Sequence, residues 1–391
     1  MSLEIFSTRI HRGRFPRLLG VVVAAGIGLG LAVMGALPAN AAVTDWAVVS
    51  TITVGSGPSD VAVTPDGKHA YVTNNGGTTV SVIDTATNTV TATIPVGDTP
   101  GIVAISPDGT HAYVANNGGT TVSVIDTATN TVTATVTVGL APGFIAITPD
   151  GTHAYVVNFG DNTVSVIDTA TNTVTATIAV GVSPTGVAVT PDGKHVYVGS
   201  LLDNTVSVID TATNTVTATI AGGSEPTGVA VSPDGTRAYV ANFGDNTVSV
   251  IDTATNTITA TVLVGVQPYD VAVSPDGKYG YVTNSFDNTV SVINLATNTV
   301  TATVPVGSSP YGVTVSPDGT YAYAANLLGT TVSVIALSIS PTITSLTAPN
   351  GTDTTAYSFQ LTATGTATIS YSVSSGALPT GVTLDPTTGL I

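Results

Sequence analysis

The tripeptide Pro-Asp-Gly begins at Pro65, Pro107, Pro149, Pro191, Pro233, Pro275 and Pro317, so a unit of 42 residues recurs seven times without slippage. At that period each copy is one supersecondary unit, and its apolar face must be covered by the next copy. In the first unit four runs, SDVAVT, HAYVTN, TTVSVID and NTVTATIPV, alternate small or β-branched residues with period two. They read as the strands of an antiparallel meander. The PDG turn supplies Pro at a fixed φ and Gly where φ is positive; DTATN forms a second corner, with Asp84 and Asn88 able to hydrogen-bond nearby backbone.

Four strands repeated seven times predict an all-β, seven-bladed β-propeller with four-stranded blades. The ends of the array support a ring. The last copy stops after TTVSVIAL at Leu337 without its fourth strand, whereas WAVVSTITVG at 46–55 precedes the first complete copy in fourth-strand register. This N-terminal strand would complete the last blade, close the ring and remove its open edges. Composition agrees: 43% hydrophobic residues are ample for a core, and only 8% are charged.

The stretch AYVTNNGGTTVSVIDTATNTVTATIPVG resembles the YVTN repeat of bacterial and archaeal surface-layer and secreted propellers, over about residues 46–337. The wider group to which it is similar includes surface proteins, lactonases and the propeller domains of nitrite and nitrous-oxide reductases. The resemblance therefore implies an architecture more sharply than an activity. From Pro341 onward the chain, with its closing ALPTGVTLDPTTGLI, resembles immunoglobulin-like modules of bacterial surface proteins. That family's pattern continues with another Gly-rich turn and a further strand or two, so residues 338–391 are expected to be a linker and an incomplete immunoglobulin-like β-sandwich. Some such modules are grouped with cadherin-like calcium binders, but Asp353 and Asp385 fall short of the six to eight oxygens a calcium site takes, so no calcium site is expected.

Residues 1–41 read as a signal peptide: Arg9, Arg12, Arg14 and Arg17 precede an apolar run, and Ala-Asn-Ala at 39–41 offers cleavage after Ala41. An uncleaved anchor is the alternative, because 18–37 is about as long as a membrane span. The expected location is secreted or cell-surface, with the propeller over 42–337. Cleavage removes four of eight basic residues and one of 24 acidic ones, taking the net charge from −16 to −19. With Lys68, Lys194, Arg237 and Lys278 as the remaining cations, nucleic acid is not an expected partner, nor is membrane insertion after cleavage. The absence of cysteine excludes disulfides, thiolate catalysis and c-type haem attachment.

His69, His111, His153 and His195 recur in register and invite a metal site. Equivalent positions on neighbouring blades lie about 10 Å apart, against zinc–nitrogen bonds of about 2 Å, so the four are expected to be scaffold. The aspartates of PDG and of IDT are likewise repeated turn residues. Chemistry at a propeller axis needs side chains that break the symmetry, yet after residue 41 there is one Glu, Glu225, one Arg, Arg237, and no out-of-register histidine. No catalytic residue, metal or cofactor is expected; a lactonase-like hydrolase on the same fold is the competing reading.

The copies differ in the second turn of each unit and just after the proline of the link between units, both at one end of the predicted propeller. Apolar side chains stand there at turn positions: Phe159, Leu201, Leu202, Phe243, Phe286, Leu327 and Leu328. With Asp60, Phe144, Tyr269, Asp270 and Tyr311 they form the candidate binding face. A monomeric propeller that recognises a protein or glycan is the expectation.

Overall fold

The computed structural model describes residues 44–339 without interruption, and beyond them short pieces at 2–6, 20–22, 32–34, 342–343, 360, 363–364, 370–375, 383–385, 387–388 and 390. Most of the expected signal peptide and of the immunoglobulin-like segment, including Asp353, lies outside the described residues. The chain divides into two units, residues 47–336 and the two flanking segments together.

The larger unit is a ring of seven four-stranded antiparallel sheets. Blade 1 consists of Pro58–Val63, His69–Asn74, Thr79–Asp84 and Thr89–Pro95, and blades 2 to 6 repeat it with first strands opening at Pro100, Pro142, Pro184, Pro226 and Pro268. Blade 7 takes three strands from Pro310–Val315, Tyr321–Asn326 and Thr331–Ile339, and its fourth from Thr44–Thr53. The first strands touch in sequence around the ring, and that of blade 7 meets that of blade 1.

Burial follows position in the blade. The second and third strands are covered on both faces, whereas in the fourth only the last valine or isoleucine is buried, the alanine is part-buried, and the threonines with the first valine, Val90 in blade 1, are exposed. This is the pattern expected of sheets stacked face to face with one outer edge in water. Each interface is one small core: Tyr71, Val80, Val82 and Ile94 of blade 1 pack on Val103, Ala112, Val114 and Ile125 of blade 2. The closing interface has the same form, with Ile52 of the N-terminal strand joining Tyr323, Val332 and Val334 against Val61, Val72 and Ile83.

Side-chain hydrogen bonds fix the register of that stacking. Tyr71 is 1% exposed, and its hydroxyl donates to Asn130 Oδ1 of the next blade at 2.7 Å. Tyr155 and Tyr197 donate likewise to Asn214 at 3.0 Å and Asn256 at 2.7 Å. Asn130, Asn214 and Asn256 each have φ near +54°, so the corner asparagine serves both the left-handed turn and the neighbouring blade. Asn116 in turn donates to Thr121 Oγ1 at 2.9 Å and Ser123 Oγ at 3.0 Å, and accepts Gly97 N–H at 3.0 Å. A Cβ on Gly97 would stand 2.4 Å from Asn116 Cγ. The glycine after a fourth strand is thus dictated by the asparagine that ends the second strand of the next blade, a place that Ser200 takes opposite Gly181.

Two outcomes check this account. Tyr197→Phe should lower unfolding free energy by about 1 kcal/mol, the net worth of one such bond, measured by urea denaturation. Deleting residues 44–53 should abolish the cooperative transition, because the Val61/Val72/Ile83 core loses Ile52 and blade 7 exposes an unpaired edge.

Candidate binding face

The PDG and DTATN corners form one end of the ring, and the blade links and second turns form the other. At the first end the aspartates are turn residues: Asp66 accepts Thr64 Oγ1 at 2.7 Å and Lys68 N at 3.1 Å, which holds it down at about 2. Asp84 accepts the amide and the hydroxyl of Thr87, both at 2.8 Å. His69, His111, His153 and His195 each open a second strand opposite an aspartate of their own blade, one per blade. Among the described residues no three His, Cys, Asp or Glu side chains come together. A groove of about 480 Å³ between blades 5 and 6 opens at this end, but Arg237 Nη1 donates to Leu295 O at 3.0 Å and Lys278 pairs with Asp276 at 2.9 Å. Its polar groups serve the repeated turns.

At the opposite end the second turns of blades 3 to 6 finish in Asp161, Asp203, Asp245 and Asp287. Each carboxylate accepts a link amide: Leu140 N at 2.6 Å, and Val182, Ser224 and Val266 N at 2.7 Å. The link is therefore pinned, and the apolar tips beside it stand in water. Phe159 is 43% exposed, Leu202 63%, Phe286 70% and Leu328 76%, while Leu201, Phe243 and Leu327 are half-buried. Leu140, Val182 and Val266 are exposed on the same end. They were missed as candidates because they precede the link proline, although GLAP, GVSP and GVQP depart visibly from GSGP and GDTP.

These loops surround a cavity of about 360 Å³ that takes in Ser59, Ile102, Phe144, Phe159, Thr185, Leu201, Tyr269, Tyr311 and Leu327. Of the twelve candidates it thus gathers Phe144, Phe159, Leu201, Tyr269, Tyr311 and Leu327; Leu202, Phe243, Phe286 and Leu328 lie outside its lining. Three rings meet across the axis. Tyr269 of blade 6 stacks on Tyr311 of blade 7 with centroids 3.4 Å apart, and Phe144 of blade 3 approaches Tyr269 at 6.3 Å. The Tyr311 hydroxyl donates to that of Tyr269. Burial holds both phenols above their ordinary range.

Asp60 and Asp270 follow one residue deeper along their strands and are 6% and 7% exposed, so they are not surface contacts. Asp60 Oδ2 accepts Val103 N of blade 2 at 3.0 Å, and Asp270 Oδ2 accepts Val313 N of blade 7 at 3.0 Å. Each carboxylate brackets its blade to the next. Burial pushes Asp270 up to about 7 against these bonds; it pushes Asp60 well above the carboxylate range, with the charge of Asp270 adding to the effect. Gly228 and Gly312 make room for them, since a Cβ there would stand 2.4 and 2.2 Å from Asp270 Oδ1 and Asp60 Oδ1.

The fold and this loop-built end define a seven-bladed propeller whose blade-specific side chains are gathered at one end. Residues 150–236 and 195–283 match the YNCE-like beta-propeller family model, and residues 340–391 match the model described as Putative Ig domain. The chain is accordingly a seven-bladed propeller similar to the YNCE-like family over residues 150–283, followed by a segment similar to the immunoglobulin-like model, in line with the resemblances of its repeat and tail motifs. Residues 37–185 match the Choice-of-anchor I domain. No curated protein matches the chain. Among solved structures it is similar to a chain of Kuenenia stuttgartiensis hydrazine synthase, with 27% identity and a TM-score of 0.68, covering 77% of this chain and 99% of that one.

The carboxylate pair sets the sign of a pH dependence. A group whose pKa is higher folded than unfolded adds stability at low pH, and that stability is lost as pH rises. For Asp270 the loss runs from about 4 to about 7, at up to about 1.4 kcal/mol per pH unit. Asp66 and its equivalents act oppositely, losing their contribution below about pH 4. Thermal stability should therefore peak on the acid side of neutrality, and Asp270→Asn should flatten its decline between about pH 4 and 7. Parallel slopes for the two proteins in calorimetry would contradict this.

Proposed function

We propose that this protein is an exported, non-catalytic binding component of the cell surface or extracellular space, which recognises a protein or glycan through the loop-built end of its propeller. The observation that carries the reading is the placement of variation. The corners of one end are nearly identical from copy to copy, whereas the tips of the other differ and expose Phe159, Leu202, Phe286 and Leu328. Water selects polar residues at turn tips, so apolar ones retained on a rigid scaffold favour a contact surface. The Choice-of-anchor I match and the arginine-led apolar segment at 9–37 support export and surface residence. The hydrazine synthase likeness supports the scaffold; at 27% identity its chemistry is not carried over.

The test is cosedimentation of the full chain with envelopes of the producing cell. Replacing Phe159, Leu202 and Phe286 by Ser should reduce binding at least about tenfold, a loss expected when exposed apolar anchors are removed. The melting temperature should hardly move, since surface substitutions rarely cost more than about 0.5 kcal/mol. Unchanged binding would refute the reading. Stoichiometric metal in the purified protein together with lactone turnover would establish the hydrolase instead.

A further inference from the structure

The innermost strands carry aromatic side chains near the axis at Phe144, Tyr269 and Tyr311, and carboxylates at Asp60 and Asp270. The carboxylates serve as brackets between blades, whereas the scaffold does not require the aromatic rings, because other blades carry glycine, serine, threonine, isoleucine or aspartate in the same slots. Three aromatic residues from blades 3, 6 and 7 nonetheless converge, with ring centroids 6.3 and 3.4 Å apart, on a cavity of about 360 Å³. That volume suits a small organic group or one large side chain.

Charge selects among such groups. Lys68, Lys194, Arg237 and Lys278, the cations of residues 46–336, all lie at the PDG end of the ring. The funnel end has none, and Asp161, Asp203, Asp245 and Asp287 stand in its turns. The rings of Phe144, Tyr269 and Tyr311 attract a cation through their quadrupoles, and the carboxylates in the turns of that end concentrate cations and repel anions. A neutral apolar group would gain burial alone.

We infer that the funnel holds an organic cation, an ammonium or guanidinium group on a short apolar stem, seated against Phe144, Tyr269 and Tyr311. This rests on the funnel end being the binding surface, and it names the chemistry recognised there. The cation is either a free amine or a lysine or arginine side chain of the partner.

The full chain is titrated calorimetrically with benzamidine, its neutral isostere benzamide and the anion benzoate. Benzamidine should bind at one site and weaken with salt, benzamide should bind at least about tenfold more weakly, and benzoate should give no heat. Leu201→Lys, which puts a positive charge on the cavity wall at a half-buried position, should abolish benzamidine binding, and Leu201→Gln should retain it. Equal affinity for benzamide and benzamidine, or no heat with benzamidine, overturns the inference. If envelope binding persists in that case, the broader reading stands without it; if benzamidine binds but the tip variants still sediment with envelopes, only the broader reading fails. Where both hold, competition of envelope binding by benzamidine assigns the cation to the partner, and its absence assigns a free amine.

Discussion

Blade-on-blade packing is the interaction on which everything else depends. No blade can cover both faces of its own second and third strands, so Tyr71, Val80 and Val82 are dry only because Ala112, Val114 and Ile125 lie against them. Such dependence propagates until it meets an end or a beginning. Here the seventh blade meets the first, and Ile52, carried by a strand from the opposite terminus, completes the final core. The tyrosine-to-asparagine bonds between blades add direction to a contact that apolar packing alone would leave free to slide.

That arrangement explains why one end of the ring is uniform. The PDG and DTATN corners carry the aspartates, threonines and asparagines that fix turn geometry and inter-blade register, so a change there is felt by two blades. Blade 6 illustrates the coupling: Leu295 replaces the usual threonine and becomes 3% exposed, and Gly280 stands where other blades have alanine or valine, because a Cβ would meet Leu295 at 3.1 Å. At the other end the link amide needs only one acceptor, which Asp161 or Asp203 supplies, and the neighbouring tip is free to vary. Phe159 and Leu202 occupy that freedom.

Much of the fold was legible because its determinants are local. Period-two alternation, glycine at +72° in the PDG turn at Gly67 and the fourth-strand register of residues 46–55 are all visible without a partner in view. The site was legible in part. Phe144, Tyr269 and Tyr311 stood out as departures from the repeat, and the fold brings them together. Asp60 and Asp270 stood out equally, yet their hydrogen-bond partners are amides 43 residues further on, supplied by the next blade. No local pattern distinguishes a carboxylate aimed at water from one used as a bracket, so burial was needed to reassign them. Leu140, Val182 and Val266 were hidden for a different reason: a short link reads as a spacer until the carboxylate that pins it is seen.

The central claim is that one end of the ring is scaffold and the other is the working surface, and the cysteine-free sequence permits a direct test. Single cysteines placed by Leu202→Cys at the loop-built end and Ala128→Cys at the PDG end, both exposed positions, would each be coupled to a bulky maleimide polymer. Envelope binding of the full chain would then be compared before and after coupling. The account requires that the polymer at 202 block binding and the polymer at 128 leave it intact. Blocking at 128 with binding preserved at 202 would contradict it.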